Sequence, residues 1–264
     1  VGFRQNEQTY DAVRITNSPI NGVVVDIAYL WQVNRFLSTR EATASFEGDT
    51  YLVNVGIDTP AGRLTGYHYT LDLDDGAGAP FSQVNSSVTS GASLVGRRYW
   101  KDVGVGWRAE YARQSDYAGN PLDYSADYWR AVATVDFAGI SFAGAHEVLG
   151  EGGARAFQTP LGTSHAFQGA ADLFVVTPDV GVRDTFLEAR WPIDAVGPLR
   201  GLTASLRHHW FADDVGGDAL GAEWDASLRA AVDGVQVLLE FASYSADGFG
   251  ADTQKLWFSI RMGI

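Results

Sequence analysis

The sequence predicts an all-β chain folded as an antiparallel transmembrane β-barrel, and three observations predict it. The first is a period of two: Trp224, Ala226, Leu228 and Ala230 alternate with Glu223, Asp225, Ser227 and Arg229, and Leu256, Phe258, Ile260 and Met262 alternate with Lys255, Ser259 and Arg261. In an extended strand successive side chains point to opposite faces, so this spacing separates an apolar wall from a charged one. The second is composition: 30 glycines and 12% aromatic residues suit strands joined by many turns. The third is a regular exchange of short turns with longer acidic loops, the asymmetry between the two rims of a membrane barrel.

Taken in order, strands are expected near 8–16, 22–35, 50–58, 63–73, 88–100, 104–116, 123–137, 140–149, 182–193, 200–212, 220–232, 235–246 and 252–264, about thirteen in all. Val23, Val25, Ile27, Tyr29, Trp31 and Val33 form one stripe, opposite Asp26, Gln32 and Asn34. Trp129, Ala131, Ala133, Val135 and Phe137 form another, facing away from Arg130, Thr134 and Asp136, and Leu202, Ala204, Leu206 and Trp210 oppose Thr203, Ser205, Arg207 and His209. Turn chemistry punctuates the strands at Asn17-Ser18-Pro19, Thr59-Pro60-Ala61-Gly62, Lys101-Asp102-Val103-Gly104, Ala138-Gly139, Val196-Gly197-Pro198 and Asp233-Gly234. Several of these strands reach about 10–14 residues where soluble strands run about 5–6, which favours a barrel over the soluble β-sandwich that would also alternate. Single-chain bacterial barrels close with an even number of strands, so the odd count implies either a further strand within Thr39–Phe46 or, the preferred expectation, strands upstream of Val1 in a larger barrel. Residues 1–264 read as a single domain, since no linker divides them.

Composition narrows the function. The formal net charge of −13 argues against nucleic acid as a partner. The absence of cysteine removes thiolate metal sites and cysteine nucleophiles. No run of about 18 apolar residues is present for a membrane helix, a criterion that does not bear on membrane strands. No nucleophile elbow, phosphate loop or metal-protease signature appears, so no catalytic residue is assigned and no cofactor is expected. His68, His146, His165, His208 and His209 show no metal-ligand spacing, and Asp72-Leu73-Asp74-Asp75-Gly76 lacks the later ligands of a calcium loop, with Gln83 where a bidentate Glu belongs.

In a barrel, the charged parity belongs to the lumen. Arg108, Glu110, Arg130, Glu188, Arg190, Arg207, Glu223, Arg229, Glu240 and Arg261 are the candidate pore-lining residues, either selecting solutes by field and width or pairing with one another to hold strands together. The long segment 151–181 is the candidate constriction, carried by Phe157, Thr163, His165, Phe167, Asp172 and Phe174. Thr163 or Ser164 is placed to cap a short helix reaching about Phe174. Folded inward, such a segment narrows the lumen; left outside, it is a rim loop.

The string Phe157-Gln158-Thr159-Pro160-Leu161-Gly162-Thr163-Ser164-His165-Ala166-Phe167-Gln168-Gly169-Ala170-Ala171-Asp172-Leu173-Phe174, with Thr177-Pro178 and Gly181-Val182-Arg183-Asp184 after it, resembles the C-terminal region of proteobacterial alginate-export-family outer-membrane proteins. Asp11-Ala12-Val13-Arg14 and Thr253-Gln254-Lys255-Leu256-Trp257 extend the resemblance, while Ala170 and the terminal Ile264 stand where aromatic residues are expected. The resemblance implies a porin-like barrel in the bacterial outer membrane, with membrane lipid as its surroundings. It implies passive passage of small hydrophilic or anionic solutes, such as sugar acids or polysaccharide, and leaves the oligomeric state open. The competing readings are a secreted soluble β-sandwich that binds carbohydrate and a barrel enzyme.

Overall fold

The computed structural model describes residues 2–3, 6–35, 45–74, 80–162, 168–193 and 195–262. A two-residue hairpin, β1 (Gly2–Phe3) with β2 (Asn6–Glu7), precedes a single thirteen-stranded sheet. Its strands are β3 (Thr9–Asn17), β4 (Val23–Asn34), β5 (Ser45–Thr59), β6 (Gly62–Leu73), β7 (Ser87–Trp100), β8 (Val103–Asp116) and β9 (Ser125–Phe137), followed by β10 (Ile140–Leu149), β11 (Val182–Pro192), β12 (Arg200–Ala212), β13 (Ala219–Val232), β14 (Val235–Ala246) and β15 (Thr253–Met262). A single helical turn, α1 (Pro80–Gln83), lies between β6 and β7. Each strand pairs only with its neighbours in sequence, always antiparallel, and β3 and β15 form the two edges among the described residues. This is the architecture of an antiparallel barrel wall. One sheet in place of two stacked layers overturns the sandwich alternative.

Hairpin rhythm follows turn chemistry. Ala138 and Gly139 both take positive φ (50° and 81°), as do Asp233 and Gly234 (48° and 83°). These are the type I′ turns whose twist matches two antiparallel strands. The opposite rim carries the longer connections, 74–86, 117–124, 150–181, 213–218 and 247–252.

The two faces of the sheet differ as the alternation requires. On the outer face Leu256, Phe258, Ile260 and Met262 are 69%, 67%, 59% and 71% exposed, and Val13, Ile15, Ile57, Phe142, Leu187, Leu206 and Phe241 extend the same surface along other strands. An apolar surface this continuous is stable only against a non-aqueous neighbour. Aromatic side chains collect near its two margins: Tyr51, Tyr111, Trp129, Trp210 and Trp224 toward the long-loop rim, Trp100 and Phe137 toward the short-turn rim. Trp129 and Phe137 terminate one stripe of β9, roughly 26 Å apart at about 3.3 Å per residue, which matches the height of an apolar band with its girdles.

Val33 departs from the expected outer stripe. The pairing of β3 with β4 jumps between Asp11↔Gln32 and Ala12↔Leu30, a β-bulge that inserts Trp31 and reverses the parity beyond it. Val33 therefore turns inward and is buried with Phe46, Leu71 and Leu73 against Tyr10. Ser45 and Phe46, the end of the stretch considered for an additional strand, open β5, and 39–44 lie outside the described residues.

An outer face set in lipid would have a direct consequence. Leu206→Arg, on the outer face midway along β12, should cost about 2–4 kcal/mol, whereas Ser205→Arg, one residue away on the inner face, should cost less than about 1 kcal/mol. Urea midpoints of the heat-modifiable folded band measure both, and equal costs would contradict the assignment of faces.

Candidate functional site

The inner face is built around the segment 150–181, which leaves the rim after β10 and packs across the polar side of the sheet. Its first part is fixed by Gln114, a buried residue of β8. The Gln114 side-chain amide donates to the Gln158 carbonyl (3.0 Å) and to Thr89 Oγ1 (3.0 Å), and its Oε1 accepts from the Gln158 backbone N–H (2.9 Å) and the Tyr124 hydroxyl (3.2 Å). Phe157 stacks on Tyr128 (centroids 5.1 Å apart) among Ala112, Tyr124, Ala126 and Leu149. Farther on, the Leu161 carbonyl accepts from Gln8 Nε2 (2.9 Å) and the Tyr10 hydroxyl (2.6 Å) at the β3 edge.

The second part crosses to the other half of the sheet. Gln168, Gly169 and Asp172 take left-handed φ values of 50°, 84° and 60°, which an α-helix cannot contain, so the described residues 168–174 form turns in place of the expected helix. Gln168 Nε2 donates to Glu147 Oε2 (2.9 Å), and the backbone N–H groups of Ala170 and Ala171 donate to Asp225 Oδ2 (3.3 Å) and Glu223 Oε1 (2.7 Å). A Cβ at Gly169 would lie 2.5 Å from Glu223 Oε2, so the backbone rests directly on that carboxylate. Asp172 pairs with Lys255 of β15 (3.0 Å), and Phe174 is buried between Phe211, Tyr244 and Phe249. Of the six candidate constriction residues, Phe157, Asp172 and Phe174 are thus anchors on the inner face; Thr163, His165 and Phe167 lie outside the described residues.

All ten candidate lining residues share the face that receives this segment, as the strand register requires. Most are neutralised locally. Arg108 binds Glu110 (2.6 Å), Arg190 and Arg207 both bind Glu188 (2.7 and 2.6 Å), and Arg130 faces Glu147 (4.0 Å). Glu223 is fully buried beneath Ala171, beside His209, whose Nδ1 lies 2.8 Å from Asp184 Oδ1 and whose Nε2 lies 3.4 Å from Asp225 Oδ2. Arg229, Glu240 and Arg261 stand on the same face nearer the short-turn rim, without an ion pair among the described residues.

Between the segment and strands β3–β10 lies a cavity of about 660 Å³. Its wall combines Leu30, Leu52, Leu71 and Leu149 with Tyr10, Tyr67, Tyr69 and Tyr128, and its charged side chains are Arg14, Asp26, Arg108, Glu110, Arg130 and Glu147. The tyrosine hydroxyls all donate within the protein: Tyr10 to the Leu161 carbonyl, Tyr67 to Glu110 (2.9 Å), Tyr69 to Asn54 (2.7 Å) and Tyr128 to Glu147 (2.6 Å). Tyr10, Tyr67, Tyr69, Tyr128, Gln114 and Glu147 were not singled out from the sequence, although the same parity carries them: Tyr128 precedes Arg130 by two residues, as His209, placed on the charged parity but not among the lining candidates, follows Arg207 by two. His68, His146 and His208 sit on the outer face, and among the described residues no group of three or more His, Asp or Glu side chains is arranged to hold a metal ion.

No protein-family model matches this chain, and no curated protein matches it. Solved structures do. Pseudomonas aeruginosa OccK11 (OpdR) is 15% identical, with 97% of this chain and 70% of that one covered at a TM-score of 0.70. OpdL of the same organism is also 15% identical, covering 96% and 70% at 0.69. OpdK, an outer-membrane protein whose structure has been solved with vanillate, is 12% identical, covering 96% and 68% at 0.67 in that complex. At such identities the likeness is one of fold. It is the fold of porin-like outer-membrane barrels and does not single out the alginate-export family.

Replacing Gln114 with Leu would leave the buried Gln158 N–H and carbonyl without partners, each worth about 1–3 kcal/mol. Limited proteolysis of Gln114→Leu should open new cleavage sites within 150–181 while the strands stay resistant; an unchanged digestion pattern would mean that the segment is fixed elsewhere.

Proposed function

We propose that this chain forms a channel of the bacterial outer membrane for the passive passage of small hydrophilic solutes. The observation that carries the reading is the segment 150–181, bonded to the polar face at both halves of the sheet while a cavity of about 660 Å³ stays open beside it. A wall that is apolar outside and polar within, crossed by an inward segment, restricts a water path without blocking it. Solutes move down their own gradient along a lumen of alternating guanidinium, carboxylate and phenol groups, and this passage consumes no cofactor. The constriction is the region where Glu147, Glu223 and Asp225 hold residues 168–171, and the ten charged residues named above line the path.

Closure is part of the proposal. β3 and β15 run in the same direction, since an even number of antiparallel steps separates them, so an antiparallel barrel needs an odd number of further strands between the two edges.

Planar-bilayer recording tests the channel. Substituting Gly-Ser linkers for residues 168–172 should raise single-channel conductance, and an unaltered conductance would place the segment away from the path. Arg229→Glu, at a position with no ion-pair partner among the described residues, should shift the reversal potential toward cation selectivity in a salt gradient. An unmoved potential would remove Arg229 from the lining.

A further inference from the structure

We infer that the cavity between the segment and β3–β10 is a binding subsite for an uncharged cyclic polyol, a single sugar-sized ring, in preference to a carboxylate of the same size. The inference rests on the channel reading and deepens it. Three observations lead to it. The first is charge balance: the six charged side chains of the wall are three cations and three anions, joined as Arg14 with Asp26, Arg108 with Glu110 and Arg130 with Glu147. A monoanion entering this cavity loses hydration and gains no net field, so a free carboxylate has little to hold it.

The second observation is the order of those charges. Glu110 stands opposite Arg130 in the β8–β9 register, and Arg130 stands opposite Glu147 in the β9–β10 register, so Arg108, Glu110, Arg130 and Glu147 alternate in sign across three strands. A guanidinium beside a carboxylate offers donors next to acceptors. Vicinal hydroxyls, each of which donates and accepts, complement such a row, whereas a carboxylate only accepts.

The third observation is a flat aromatic surface. Tyr67 on β6 lies across β7 at Gly91 to reach Glu110 on β8, and a Cβ at position 91 would be 2.5 Å from its Cζ atom. The missing side chain lets the ring rest against the wall with its open side toward the cavity. Tyr69 stacks beside it with an offset, ring centroids 5.0 Å apart and planes 20° from parallel, so the two rings present one aromatic cluster to the cavity. The hydroxyls of both rings are already engaged in the protein, so their faces are what the cavity receives, and an aromatic face accepts the C–H side of a saturated ring. The volume of about 660 Å³ lies within the usual range of small-molecule sites.

Saturation-transfer NMR on the purified full chain in detergent, with glucose and glucuronate as probes, tests the subsite, and bilayer conductance is recorded on the same preparation. Glucose should bind more tightly than glucuronate. Tyr67→Ala should weaken glucose binding about three- to tenfold, as expected for loss of an aromatic contact, while Tyr67→Phe keeps it. Glu110→Gln, which leaves the cavity with one net positive charge, should move the preference toward glucuronate. Heat-modifiable migration identifies folded variants, and if Tyr67→Ala fails to fold, Glu110→Gln and the wild-type preference decide. Equal or tighter glucuronate binding to the wild type, or a folded Tyr67→Ala that binds glucose unchanged, overturns the inference. A protein that conducts but is indifferent to the two probes loses only this subsite. One that binds glucose selectively but does not conduct keeps the subsite and loses the channel.

Discussion

In the channel we propose, the structure depends on the absence of water along its outer surface. Backbone amides at membrane depth have no solvent to bond, so strands must satisfy them on their neighbours; the antiparallel ladder does so on both sides of β4 to β14, and β3 and β15 are paired on one side among the described residues. Once the backbone is committed, side-chain parity is the sole freedom left. Apolar residues at one parity form the outer surface, and the other parity is released to carry charge. The same division explains why Arg207 and Leu206, adjacent in sequence, live in opposite surroundings.

The inner face then solves a different problem. A concave wall lined with guanidinium and carboxylate groups would be repulsive or sticky if either sign dominated, and the register instead places opposite charges side by side at Arg108–Glu110 and Glu188–Arg207. Individual exposed pairs of this kind contribute little to stability. Their effect lies in levelling the field across the cavity and in holding tyrosine rings flat. The segment 150–181 uses the same carboxylates a second time, as acceptors for backbone N–H groups at Ala170 and Ala171, so lining and constriction share residues.

Strands were legible in the sequence because a sheet with one apolar and one polar face imposes a strict period of two, and all thirteen fall where the alternation puts them, with ends differing by a few residues. β5 differs most, beginning at Ser45, ahead of a clean alternation. Val33 was misread because a bulge at Trp31 in the β3–β4 ladder changes parity without leaving a compositional mark. The sharing of one face by the ten charged residues followed from spacing alone, as did the same-strand neighbours Arg108–Glu110 and Glu188–Arg190, but the pairs Arg130–Glu147 and Glu188–Arg207 did not, since they depend on cross-strand register. The path of 150–181 was least legible. Its anchors lie 44 residues away at Gln114 and 52 at Glu223, and no local periodicity encodes contacts at that separation. Left-handed backbone at Gln168 and Asp172, neither of them glycine, likewise excluded the helix that a capping residue suggested.

Strand order that follows sequence order has a kinetic meaning. Each hairpin can add to the one before it, as in the closing of a zip, and no strand has to wait for a distant partner. The inward segment cannot form this way, because it draws its anchors from β3 at one edge and β15 at the other. In the proposed channel, docking of 150–181 would therefore follow formation of the wall, and a nascent barrel would be leakier than the finished one until that segment is in place.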